Sequence, residues 1–93
     1  MGSFSYSHVV DGEVKRIELP YDPTIIGFFV RPRSSCCLYF KKDDYLLRIN
    51  TGSHMILLYE EINGVRSRNL LSPACRANDQ NEFNEKLSKW LTS

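Results

Sequence analysis

The sequence predicts an α+β domain: an antiparallel sheet of six or seven strands in meander order, able to curl into a partial barrel, with one C-terminal amphipathic helix packed on it. Three observations support that class. Short apolar runs between Ile25 and Leu71 are cut by turn dipeptides at close, regular intervals. None of those intervals is long enough for the crossover helix that parallel neighbours need. Beyond Pro73 the apolar spacing changes from two residues to three and four, the period of a helix.

Phe4, Tyr6, His8 and Val10 alternate with Ser5, Ser7 and Val9, as in a half-buried strand, and Asp11-Gly12 follows as a hairpin turn. The return run over residues 14–19 puts Val14 and Ile17 on opposite faces of the pleat, which predicts a bulge or an edge position. Pro20 and Pro23 end it. Residues 24–30 are apolar on both faces and predict a central strand covered on each side, or a strand with one face against the helix, with Gly27 at a bulge or a close backbone approach.

Pro32, Ser34 and Ser35 predict a loop before a strand over residues 36–40, and Lys41-Lys42-Asp43-Asp44 a polar turn. Two further strands, over 45–49 and 54–60, are joined by Asn50-Thr51-Gly52-Ser53, and Asn63-Gly64 leads into a last run over 65–71. Phe83, Leu87, Trp90 and Leu91 then form one apolar stripe at helical spacing, with Asp79 and Glu82 at the spacing of a capping box. Gly52-Ser53-His54-Met55 matches a common cloning remnant, but it lacks an upstream protease site and fits the turn-and-strand pattern, so the chain is read as continuous.

Ninety-three residues suit one domain over 1–93, with the meander at about 4–71 and the helix at about 79–92. With 42% hydrophobic and 25% charged residues the chain has the composition of a folding sequence rather than a disordered one. No run reaches the roughly 18 to 20 apolar residues that span a bilayer, and no basic segment followed by an apolar one opens the chain. Cys36, Cys37 and Cys75 are odd in number and two are adjacent, which excludes a disulfide framework. A cytoplasmic protein with reduced thiols is expected.

Chemistry-bearing groups are sparse. Cys36 or Cys37 with His8 or His54 would make a nucleophile and base, but no Asn or Asp is placed to orient the imidazole, and adjacent strand residues point to opposite faces. The three cysteines lack the paired spacing of zinc sites. Asp43-Asp44 and Glu60-Glu61 fall at predicted turns or strand ends, where solvated carboxylates are ordinary, and no glycine-rich phosphate loop is present. No catalytic residue, metal site or cofactor is predicted, and the chain is read as non-enzymatic.

A binding role is predicted instead. Five Tyr, five Phe and one Trp exceed what one sheet face and one short helix bury, so an aromatic and arginine face remains for a partner protein. Tyr39, Tyr45, Arg66 and Arg68 are its candidate contacts, with Arg66 and Arg68 expected on one face of one strand. A free strand edge offers a second route, to a partner or to a homodimer. Small inhibitors of other proteins share this profile.

Net charge is only +1, yet residues 31–48 hold five basic groups against two acidic ones. Arg31, Arg33, Lys41 and Lys42, with sheet tyrosines, are therefore candidates for nucleic-acid binding. A simple hairpin would set the 30s loop and the 40s turn at opposite ends of a strand, so the basic residues are not expected all to form one compact patch. In element order and length the layout is similar to the pleckstrin-homology architecture, which implies lipid-headgroup binding at basic turns; the likeness is one of layout alone.

Overall fold

In the computed structural model, which describes residues 3–31, 36–73 and 75–91, the chain forms seven strands and a C-terminal helix. Strands β1 (Phe4–Val10) and β2 (Glu13–Leu19) make a separate two-stranded ribbon, with register unbroken from Phe4 opposite Leu19 to Val10 opposite Glu13. Asp11 and Gly12 both take positive φ, 51° and 79°, as a type I′ turn requires. No bulge interrupts β2, which as one of only two strands in its sheet takes the expected edge position. Val14 faces Val9 on the solvent side, while Ile17 and Leu19 turn inward.

Residues 24–30 do not form the predicted central strand. Pro23–Ile26 is a 3₁₀ turn, and only Phe29–Arg31 is extended, as β3 at the edge of the second sheet. The reason is local. Asp22 caps the turn, accepting from the Thr24 amide at 2.9 Å, and Pro23 presets φ at its first position. Gly27 closes it at φ 97°, with the Lys42 side chain passing 3.3 Å from where a β-carbon would stand. Phe29 is consequently 75% exposed.

The second sheet runs in order β3, β4 (Cys37–Lys42), β5 (Tyr45–Asn50), β6 (Ile56–Ile62) and β7 (Val65–Arg66), all antiparallel. The meander holds, but the two sheets do not close into a barrel. Registers align Leu38, Ile49 and Ile56 in one row and Phe40, Leu47 and Leu58 in the next, every one of them buried. Gly52-Ser53-His54-Met55 belongs to the β5–β6 connection: Asn50 Oδ1 accepts from the amides of Gly52 and Ser53, and the Asn50 amide donates to the Met55 carbonyl.

Strand β7 is shorter than predicted, two residues instead of a run to Leu71. Asn69 takes the chain off the ladder: its Oδ1 accepts from the amides of both Leu58 and Leu71, and its Nδ2 donates to the Leu71 carbonyl. A side chain thereby satisfies β6 where a strand would have done so.

Helix α1 (Gln80–Leu91) begins where Asp79 Oδ1 accepts from the Glu82 amide at 2.8 Å. Glu82 reaches back to the Asn78 amide, one residue before the position in a standard capping box. Phe83 and Leu87 are fully buried, with Trp90 and Leu91 packed at the margin. The helix, the β1–β2 ribbon and the connecting segment together cover one face of the second sheet. Phe4 meets Phe40 edge-on at 5.3 Å, and Tyr21 stacks flat on Phe83 at 4.2 Å.

Tyr21 carries an exception to the rule that buried polar atoms are paired. Its hydroxyl is buried and has no hydrogen-bond partner among the described residues, and burial raises its pKa well above the usual phenol value. Tyr21→Phe is therefore expected to stabilise the fold by about 1 kcal/mol in urea denaturation at neutral pH. Because the folded-state pKa is raised, this tyrosine's contribution is intact below about pH 10 and declines as pH rises further, by about 1.4 kcal/mol per unit. The advantage of the Phe variant should widen in that range. A destabilised variant, or a constant difference across it, would contradict the assignment.

Candidate docking face

The face of the second sheet turned away from the core is built by alternation. In β4 the inward residues are Leu38 and Phe40, so Cys37, Tyr39 and Lys41 point out; β5 contributes Leu46 and Arg48, and β6 contributes Leu57, Tyr59 and Glu61. Register then sets neighbours. Arg31, Tyr39, Arg48 and Leu57 form one cross-strand row, Phe29, Lys41, Leu46 and Tyr59 the next, and Arg66 stands opposite Glu61.

No helix or strand among the described residues covers this face, yet Leu46 is only 3% exposed. Long side chains shelter it. The Arg66 guanidinium lies 5.9 Å from the Tyr39 ring centre and 5.7 Å from that of Tyr59, spanning both. Glu61 stands between Lys41 Nζ at 3.4 Å and Arg66 Nη2 at 3.5 Å. The result is a shallow cavity of about 230 Å³ lined by Arg31, Tyr39, Leu46, Glu61 and Arg66. Four cations against one carboxylate leave the face with a surplus of three positive charges.

Beside the first row, Arg48 Nε donates from β5 to Cys37 Sγ on β4 at 3.0 Å. That hydrogen bond raises the Arg48 pKa above the ordinary guanidinium value, against the opposing effect of burial. The two adjacent cysteines do not diverge as strand alternation predicts. Cys36 precedes β4, and its sulfur lies 3.4 Å from that of Cys37.

Two of the four predicted partner contacts, Tyr39 and Arg66, meet on this face. Tyr45 does not join them: it lies on the opposite face of β5 and packs against the core margin. Arg68 lies beyond the end of β7, so the expectation that it shares a strand face with Arg66 fails. Of the basic set, Arg31 and Lys41 belong to the face, on the adjacent strands β3 and β4, and the set as a whole does not form one compact patch. Lys42 points the other way and donates to the Ile26 carbonyl at 2.9 Å, and Arg33 is outside the described residues. Arg48, Glu61 and Phe29 were not among the candidates. Alternation within residues 45–49 marks Arg48, but only the register shows what stands beside it.

His54 is held by structure, its Nε2 3.3 Å from the Tyr6 hydroxyl. Among the described residues no group of three or more His, Cys, Asp or Glu is placed to hold a metal, and no helix is long and apolar enough to cross a membrane. Comparison with known proteins finds no matching family model, no significantly similar curated protein and no significantly similar solved structure.

Shelter by side chains rather than by a packed layer has a measurable consequence. Leu46→Ala is expected to cost about 2 kcal/mol, the low end for a buried leucine, because Tyr39, Tyr59 and Arg66 can settle into the space. Glu61→Gln is expected to cost less than about 1 kcal/mol, since its partners are partly solvated. A loss at Leu46 matching that of Leu58→Ala would show the outer face to be as rigid as the core.

Proposed function

We propose that the protein is a non-catalytic binding module that docks an acidic segment of another protein on the outer sheet face. The observation that carries this is Arg66 laid across Tyr39 and Tyr59 within a surface of surplus positive charge. Tyrosine and arginine are the residues most often dominant in interface energetics, because each offers large contact area with a polar handle. Carboxylates of a partner would pair with Arg31, Arg48 and Arg66, while its apolar side chains cover Phe29. Blocking an acidic surface in this way would make the protein an inhibitor or adaptor acting in the cytoplasm.

A second copy suits this face poorly, since a two-fold contact would set like charge against like charge. Edge strand β3 extends the surface, with Phe29 and Val30 exposed along it, and a partner strand added there would run beside Arg31. Single-stranded nucleic acid is the alternative occupant, because bases stack on sheet tyrosines between arginines. The charge surplus neutralises about three phosphates, few for binding driven by counterion release, and the exposed apolar edge favours a protein. Headgroup binding at the 40s turn has less support, as Lys41 is engaged by Glu61 and Lys42 by the Ile26 carbonyl.

Selection of displayed random peptides on the wild-type protein is expected to enrich Asp and Glu next to aromatic or aliphatic residues. Arg31→Glu with Arg66→Glu should weaken the enriched peptides more than about tenfold, with the circular dichroism spectrum unchanged. Enrichment without acidic character, or undiminished binding by the double variant, would count against the proposal. Tighter binding of a single-stranded oligonucleotide, abolished by the same substitutions, would transfer the face to nucleic acid.

A further inference from the structure

The docking face makes no use of the Cys36 and Cys37 sulfurs. Cys36 is exposed and Cys37 is fully buried, yet their sulfurs approach to 3.4 Å. The backbone holds this geometry: the Cys36 carbonyl accepts from both the amide and the hydroxyl of Thr51, at 2.9 and 3.0 Å. Arg48 Nε, donating to Cys37 Sγ at 3.0 Å, fixes the buried sulfur from the outer face. An accessible thiol, an inaccessible one beside it and a guanidinium positioning the second are the parts of a site that reacts in two steps.

We propose that Cys36 and Cys37 are a thiol-modification site, a vicinal dithiol that exchanges with low-molecular-weight disulfides and closes to an intramolecular disulfide. Cys36, having released its proton to solvent, attacks one sulfur of the small disulfide; that S–S bond breaks, and one small thiolate departs and takes up a proton. Cys37 then loses its proton and attacks Cys36 Sγ, forming the Cys36–Cys37 bond and expelling the second small thiolate, which is protonated in turn. Two protein thiols are oxidised and one small disulfide is reduced to two thiols. The second step brings the sulfurs from 3.4 Å to a bonding distance of about 2.05 Å, closing a strained eight-membered ring.

The closed form should be readily reversed. Adjacent α-carbons are held about 3.8 Å apart, below the roughly 4.4 to 6.8 Å that relaxed disulfides span, and strained disulfides are the easily reduced ones. Cys75 provides an internal contrast. It is half-buried, and burial raises its thiol pKa, so it carries less of the reactive thiolate.

The test is to equilibrate the native protein in glutathione buffers of graded oxidised-to-reduced ratio, trap thiols by acid quench and alkylation, and map the peptides by mass spectrometry. The peptide containing Cys36 and Cys37 is expected to lose two hydrogens as the ratio rises, to carry no glutathione at the end point, and to recover with dithiothreitol. Cys37→Ser should accumulate a glutathione adduct on Cys36, and Cys36→Ser should leave Cys37 unmodified. Arg48→Gln should slow ring closure several-fold and let the adduct build up in transit, while first-step consumption of Cys36 is unchanged. A stable Cys36 adduct in the wild-type protein, equal or faster reaction at Cys75, or an inert pair would each overturn the proposal.

Discussion

The structure depends on two rows of apolar side chains aligned across β4, β5 and β6: Leu38, Ile49 and Ile56 in one, Phe40, Leu47 and Leu58 in the other. Because a pleat has period two, those rows fix which face of the sheet carries the core, and a slip of one residue would reverse every assignment. Helix α1 and the β1–β2 ribbon reach the same face from opposite ends of the chain. Phe83 and Leu87 come from the helix, and Tyr6 and Leu19 from the ribbon, to complete a single cluster. Tyr21 joins the two arms by stacking on Phe83, while the Asp22 amide donates to Gln80 at the start of the helix.

The same alternation that makes one face dry gives the other its chemistry. Aliphatic residues at Leu46 and Leu57 sit among Tyr39, Tyr59 and four cations, so the outer face is apolar at its floor and charged at its surface. Arginine suits that arrangement because its guanidinium can lie flat on a ring while its stem covers carbon. Cover for the apolar strands comes in two ways. Residues 24–30 leave the sheet centre for a turn and a short edge, and the outer face is roofed by its own long side chains.

Much of this was legible in the sequence because it is local. Asp11-Gly12 and Asn63-Gly64 demand left-handed backbone, and both take it. The stripe of Phe83, Leu87 and Trp90 and the Asp79 cap place the helix to within a residue or two. The failures have named causes. Hydrophobicity alone makes residues 24–30 a central strand, but Asp22-Pro23 and Gly27 supply a start and a stop for a short turn, and backbone chemistry prevails. Strand propensity extends the run over 65–71, but Asn69 offers its amide group in place of a strand.

The sequence by itself determined the strand periods, the turns, the terminal helix and the presence of more aromatic and basic side chains than a one-sided core consumes. Only the tertiary structure decided which of those side chains meet. Tyr39 and Arg66 come together while Tyr45, at equal promise in the sequence, turns to the core. Arg48 joins a face with Arg31, and two adjacent cysteine sulfurs converge because one of them lies just outside its strand. The physical reason is that a side chain's face follows from the strand's own alternation, whereas its neighbours follow from register between strands, a sum over contacts distant in the chain that no local pattern records.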